Sequence, residues 1–301
     1  MHLSRLLCPV WITTPLMLMN NWRELLKKGT QILKSAQIDD FEFDAYQLIL
    51  TFFDGDSSEY MLHSEEYVDE TSESNYFTLI DRRASGEPLQ YIIGKWDFYN
   101  SSFYVGEGVL IPRPETEELV EKCVKIIKEH NSSVVYDLCT GSGCIGLSIA
   151  KECPGVRCYL FELYDNAFSY AKKNLAEMNL SNVELIKHDV LKRYEGEIPS
   201  ADLIVSNPPY IESSEISSLQ SEVLREPLTA LDGGDDGLVF YRAIYEEWTE
   251  KLNHGGFFAF ECGENQTEDI IKLMSDRFNG VAYKDIYGND RIVISKKIMK
   301  E

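Results

Sequence analysis

Val134-Val135-Tyr136-Asp137-Leu138-Cys139-Thr140-Gly141-Ser142-Gly143-Cys144-Ile145-Gly146-Leu147 decides how the rest of the chain is read. An apolar run of strand length stops in a glycine turn, and the turn hands the chain to an apolar helix over 144–151. Gly141 and Gly143 tolerate positive φ and let another group approach the backbone at a helix N-terminus, where N–H groups lack internal partners. The pattern reads as D-x-x-T-G-S-G rather than as the spaced glycines of a dinucleotide fingerprint. A P-loop is excluded, because no Gly-Lys-Ser/Thr follows.

Beyond the turn, strand and helix alternate as in an open α/β sheet. A second strand over 157–161 ends at Glu162, about 20 residues past the glycine turn, where an acidic side chain would hold a ribose diol. A helix over 166–179 leads to a third strand, 183–186, which runs into His188-Asp189-Val190. Asp189 is placed to accept from an exocyclic amine and Val190 to pack on a purine face. His188 reads as a solvent-edge residue, with catalysis as the alternative.

The fourth strand, 202–206, ends in Asn207-Pro208-Pro209-Tyr210. Two prolines fix φ and donate no ladder hydrogen bond, so the strand must deliver a rigid loop at its carboxyl end. An amide side chain, free carbonyls and an aromatic ring meet there, a set suited to holding a planar –NH2 group. Four strands thus place chemistry-bearing residues at carboxyl ends, where ligands bind in open α/β sheets. The remainder supplies a polar lid expected to be mobile over 211–224, a turn-rich loop over 226–237, and a helix over 238–252. A fifth strand over 257–261, a helix over 265–278 and a closing hairpin over 281–295 complete the fold.

Upstream, apolar residues recur at helical spacing over 21–34, 40–53 and 64–84, which predicts a small helical unit. Short strands are expected at 89–94, 96–100, 103–105 and 109–111, forming a linking β-hairpin. It ends in Ile111-Pro112-Arg113-Pro114-Glu115-Thr116-Glu117, which reads either as a helix start or as a wall for a cofactor.

The 301 residues carry a formal net charge of −21, which disfavours unaided binding to a phosphate backbone and suits a protein partner with a basic face. Seven cysteines with no C-x-x-C pair and five scattered histidines speak against a zinc site or a disulfide framework, so no metal is expected and the cysteines read as reduced, in a cytoplasmic protein. Leu6 to Leu18 is mostly apolar but contains Pro9 and Pro15, is too short to span a bilayer and lacks a small-residue cleavage site. Residues 1–18 are therefore taken as a non-structural extension over a weak signal peptide, with Met17 or Met19 as a natural start.

Taken together, Gly86-Glu87-Pro88-Leu89-Gln90-Tyr91, Leu110 to Glu117, Asp137 to Gly143, Asn207 to Tyr210 and Glu226-Pro227 with Ala230 to Gly237 resemble the protein-(glutamine-N5) methyltransferases that modify peptide chain release factors. These are Class I S-adenosylmethionine-dependent enzymes. The Asn-Pro-Pro-Tyr string by itself is shared with adenine-N6 methyltransferases; the combination is more specific. The resemblance implies a Rossmann-like α/β fold with a mainly parallel seven-stranded sheet and an antiparallel C-terminal hairpin. It implies a helical substrate-recognition domain at 19–85, a linking hairpin at 86–112 and a methyltransferase domain at 113–301. S-adenosylmethionine would be held by Cys139, Thr140, Gly141, Ser142, Gly143, Glu162, Asp189, Val190 and Asn207. Asn207, Pro208, Pro209 and Tyr210 would hold the substrate glutamine of a Gly-Gly-Gln loop, with Asn207, Pro208 and Tyr210 catalytic. Two departures stand out: Cys139 where many members have Gly, and Glu162 where Asp is usual. The rivals are a glutamine methyltransferase acting on a ribosomal protein and an adenine-N6 nucleic-acid methyltransferase.

Overall fold

Asn21 caps the first helix in the computed structural model, accepting from the Glu24 N–H at 2.8 Å while the Glu24 carboxylate takes the Asn21 N–H at 3.1 Å. This reciprocal pair satisfies two donors that a helix start leaves open. The structure describes residues 20–285 and 287–298, so the extension expected over 1–18 lies outside them. The chain divides into two compact units between Leu89 and Gln90. The first contains α1 (Trp22–Ser35), α2 (Phe41–Leu50), α3 (Ser57–His63) and α4 (Glu70–Ala84). Leu25, Leu33, Leu48, Ile49, Tyr76 and Ile80 are fully buried within it. Arg83 and Asp44 form a buried ion pair at 2.6 Å, joining α4 to α2.

The segment over 89–94 is a helix, α5 (Leu89–Ile93), where a strand was expected. Periodicity cannot separate helix from strand in so short an apolar run. Pro88 precedes the first turn, a position proline tolerates, and Gly94 at φ 78° ends the helix, its N–H bonded to the Gln90 carbonyl at 2.8 Å. β1 (Lys95–Phe98) and β2 (Ser101–Tyr104) form the expected hairpin, and Phe98 and Phe103 belong to the core of the second unit. Residues 109–111 form no strand; the Val109 carbonyl instead accepts from the Tyr91 hydroxyl.

α6 (Pro114–His130) leads into the sheet, which comprises β3 (Val134–Leu138), β4 (Arg157–Glu162), β5 (Val183–Lys187), β6 (Ala201–Ser206), β7 (Leu252–Glu261), β8 (Phe278–Lys284) and β9 (Asp290–Lys297). The helices α7 (Cys144–Glu152), α8 (Asp165–Met178), α9 (Val239–Trp248) and α10 (Thr267–Met274) lie between strands in sequence. The strand order is β5-β4-β3-β6-β7-β9-β8, parallel from β5 to β7 and antiparallel at β9. The seven-stranded, mainly parallel sheet with a closing antiparallel hairpin is thus the fold that was expected.

Alternate residues of each central strand serve opposite faces. Val135, Leu203, Val205 and Ala259 join one apolar cluster with residues of α6 and α7; Tyr136, Ile204, Phe258 and Phe260 join another with Trp248 and residues of α9 and α10. Burial on both faces explains why these strands read as unbroken apolar runs. The helix expected over 238–252 ends earlier, at Trp248, and gives way to a tight turn before β7. No helix among the described residues is long and apolar enough to cross a membrane.

Candidate active site

β3 lies between β4 and β6, and the order of connection reverses there, which opens a crevice at the carboxyl ends of the strands. A cavity of about 930 Å³, counted with its open mouth, occupies this position. Cys139, Thr140, Gly141, Glu162, Asp189, Val190, Asn207 and Pro209 all line it. Ser142, Gly143, Pro208 and Tyr210 are not among its lining residues.

The glycine turn forms one wall. Its Thr140 N–H bonds the Phe161 carbonyl at 3.0 Å, and Gly143 caps α7 at φ 84°. Cys139 adopts φ 58°, the left-handed conformation that a non-glycine residue reaches at a cost of about 1 kcal/mol. The angle is not one reserved for glycine, as the cysteine there requires. Asp137 stands behind the turn, fully buried; its Oδ2 accepts from the Thr140 hydroxyl and from the Gly146 N–H at 2.8 Å, while Oδ1 has no hydrogen-bond partner among the described residues. Burial pushes its pKa up to about 7, against the pull of those two hydrogen bonds. The glycine spacing does continue, through Gly141, Gly143 and Gly146, as G-x-G-x-x-G, which corrects the reading from sequence. Any Cβ at Gly146 would sit 2.7 Å from Leu160 and 2.8 Å from Asp137 Oδ2.

Glu162 ties the turn to the end of β4. Its Oε2 accepts from the Gly141 N–H at 2.9 Å, and its Oε1 from the Leu163 and Tyr164 N–H groups, each at 2.9 Å. A carboxylate offers about four acceptor positions, so roughly one stays open toward the cavity. Burial raises its pKa, opposed by the three N–H groups.

Asp189 is more committed than its sequence position suggested: Oδ1 takes the Leu191 N–H at 3.1 Å, and Oδ2 pairs with Lys192 at 3.0 Å. The next carbonyl, that of Val190, accepts from Trp248 Nε1 at 2.9 Å, which fixes the loop. His188 is half-buried and lines the cavity. It stands edge-on to Phe161, Tyr194 and Trp248, with Nε2 at 2.9 Å from the Lys192 carbonyl.

The opposite wall carries the Asn-Pro-Pro-Tyr loop. Ser206 anchors it by donating to the Leu138 carbonyl at 2.6 Å, and Asn207 Nδ2 donates to the Thr116 hydroxyl at 3.4 Å. Tyr210 packs against the second apolar cluster, and burial pushes its phenol pKa up. Its carbonyl accepts from Gln266 Nε2 at 2.9 Å. Gly233 lies so close that a Cβ would fall 2.7 Å from the Tyr210 Cα, which fits the glycine pair of the turn-rich loop against this one. The segment expected as a lid is pinned where it begins, with the Ile211 N–H on the Leu231 carbonyl at 2.9 Å and the Gly233 N–H on the Ile211 carbonyl at 2.8 Å.

Arg113 stands both at the helix start and in the cavity wall. It is the N-cap residue of α6, followed by Pro114 in the first turn, and it lines the cavity beside Pro112. Its guanidinium pairs with Glu226, whose other oxygen accepts the Ile111 N–H at 2.9 Å. Sequence reasoning assigned no role to Thr116, Glu226 or Phe240. The first two lie inside quoted motifs; Phe240, in the first turn of α9, carries no local signal.

Residues 24–94 match the family model described as the PrmC N-terminal domain, and residues 118–247 match the methyltransferase small domain. The release factor glutamine methyltransferase of Clostridium botulinum is 36% identical over 279 residues, spanning 91% of this chain and 99% of the relative. The chain belongs to the release factor glutamine methyltransferase family. A second member, from Thermodesulfovibrio yellowstonii, is 44% identical over 226 residues, 73% of this chain and 80% of the relative. Among solved structures, the hMettl16 catalytic domain aligns with a TM-score of 0.54 at 16% identity, over 77% of this chain and 83% of that one, a likeness of fold alone.

S-adenosylmethionine is the methyl donor of this family. The cavity suits it chemically: an acidic side chain with open acceptor capacity for a hydroxyl, a glycine turn at a helix N-terminus, and apolar Val190 and Leu191 beside Asp189.

Proposed function

We propose that this protein methylates the side-chain amide nitrogen of a glutamine in a peptide chain release factor, the glutamine of a Gly-Gly-Gln loop. The observation that carries the reading is that Asn207 and Pro209 line the same cavity as Gly141 and Glu162, so methyl donor and acceptor amide would meet in one chamber. Bound S-adenosylmethionine supplies an electrophilic methyl group on a sulfonium.

The chain's own task is to make a poor nucleophile react, since the lone pair of a carboxamide nitrogen is delocalised into its carbonyl. Asn207 Oδ1 and the Pro208 carbonyl accept from the two N–H groups of the glutamine and turn the nitrogen toward the methyl group. Holding the atoms about 3 Å apart in line contributes roughly 7–11 kcal/mol. The same two oxygens favour the positive charge that develops on nitrogen, which then sheds a proton to water. Glu162 holds the ribose, Asp189 and Val190 the purine, and Cys139 to Gly143 the backbone side of the donor. Tyr210 acts by fixing the shape of its loop.

The helical segment 19–85 selects the protein substrate, 86–112 links it to the methyltransferase segment 113–301, and the acidic surface suits a basic face on the partner. A cytoplasmic location goes with a substrate of the translation machinery. The test is transfer of labelled methyl from S-adenosylmethionine to a release factor, a ribosomal protein or duplex DNA. Label on the Gly-Gly-Gln glutamine supports the proposal; label on ribosomal protein or DNA with none on the release factor overturns it.

A further inference from the structure

Glu261 ends β7 beside the Asn207 loop, because β6 and β7 pair through Ser206 and Phe260. It is buried, and its Oε2 has no hydrogen-bond partner among the described residues. Thr116, in the first turn of α6, is equally buried and accepts from Asn207 Nδ2 at 3.4 Å. The polar ends of Thr116 and Asn207 both favour the ionised form of Glu261. Three side chains remote in sequence therefore meet behind the wall that faces the acceptor.

A carboxamide has a donating end and an accepting end, and its role depends on which one faces the cavity. An ionised carboxylate only accepts. Its charge attracts the Asn207 –NH2 end and the Thr116 hydroxyl proton, and repels the carbonyl end. We propose that Thr116 and Glu261 are positioning residues that hold the Asn207 carboxamide with Oδ1 toward the cavity, an inference that rests on Asn207 being the acceptor for the substrate amide. Thr116 of the Ile-Pro-Arg-Pro-Glu-Thr-Glu string then has a task.

The charges around Glu261 set the conditions. Glu115 comes from α6, Tyr210 from the loop after β6, Arg291 from β9, and Cys262 follows in the chain. Arg291 is shared with Glu264 at 3.0 Å and Asp285 at 3.4 Å. Burial, with Glu115 adding and Arg291 opposing, raises the pKa of Glu261 to about 7. The oriented state accordingly strengthens as pH rises through that value.

The experiment measures turnover on a release factor, S-adenosylmethionine affinity by calorimetry, and the side-chain amide signals of Asn207 by nitrogen-15 NMR. Thr116→Val and Glu261→Gln are expected to lower kcat by about 10–100-fold with cofactor affinity unchanged. Thr116→Ser, which restores the hydroxyl, is expected to recover most of the rate. In the wild type without cofactor, the Asn207 amide signals should shift with pH near neutrality, and in Glu261→Gln they should not. Equal turnover for the Val and Ser variants, or Asn207 signals that ignore pH in the wild type, overturns the proposal. Full turnover by Asn207→Ala overturns the reading beneath it instead. If Glu261→Gln fails to fold, the Thr116 pair and the wild-type titration decide.

Discussion

On the side formed by β3, β4 and β5, the cavity wall is braced by carboxylates that bind main-chain N–H groups: Asp137 holds Gly146, and Glu162 holds Gly141, Leu163 and Tyr164. On the side formed by β6, β7 and the start of α6, distant side chains brace one another: Asn207 with Thr116, and Arg113 with Glu226. Main-chain bracing fixes a shape that a cofactor fills. Side-chain bracing instead fixes the direction of a single functional group. Replacements on the first side should therefore change affinity or stability, and replacements on the second should change turnover.

The largest separation is expected for Asn207→Ala. Loss of one preorganised group that meets developing charge lowers kcat by about 10²–10³-fold. Calorimetric affinity for S-adenosylmethionine should stay near the wild-type value. A comparable loss of cofactor affinity would erase the distinction between the two sides.

Next comes stability against pH, where the buried acids on the two sides act alike. Asp137 and Glu261 each have a folded-state pKa raised to about 7 from the ordinary carboxylate range. The folded protein thus binds protons that the unfolded chain has already released. Their contribution is fully present below about pH 4 and is lost as pH rises through about 7, on the order of a few kcal/mol. Denaturant midpoints should fall from pH 5 to pH 8, and Asp137→Asn should flatten part of that slope. An unchanged slope in this variant would assign the effect to other groups.

Glu162→Gln tests the first side more gently. The amide keeps one acceptor oxygen and turns an –NH2 group on N–H donors that the carboxylate had satisfied. About a tenfold loss of cofactor affinity, near 1.4 kcal/mol, is expected, with kcat at saturation much less affected.

The same contrast explains what the sequence could reveal. Bonds from Glu162 to Leu163 and Tyr164 are local, and the glycine turn and strand ends follow the strand-turn-helix rhythm, so this side was legible from residue 134 onward. The partners of Asn207 and Arg113 lie 91 and 113 residues away. Only the fold brings them together; Thr116 and Glu226 therefore appeared as letters in motifs without tasks. Phe240 and Glu261 looked like ordinary members of a helix and a strand. Short apolar runs such as Leu89–Ile93 fit both periodicities, and Pro88 and Gly94 decided that case.

The smallest effect expected is at Cys139. Glycine there relieves the cost of φ 58°, about 1 kcal/mol. It also gives the unfolded chain extra freedom, worth roughly 0.4–1 kcal/mol, and forfeits the packing of a half-buried thiol. These contributions oppose each other, so Cys139→Gly should shift unfolding stability by less than about 1 kcal/mol and leave turnover intact. Cys139→Val should behave differently, because a β-branched side chain is poorly tolerated in the left-handed region. It should lose stability and cofactor affinity together while Asn207 stays in place, so kcat at saturating cofactor should hold. A fall in saturated kcat for Cys139→Val, with normal folding, would mean that the two sides are mechanically coupled through β3 and its neighbour β6, where Ser206 already reaches across to the Leu138 carbonyl.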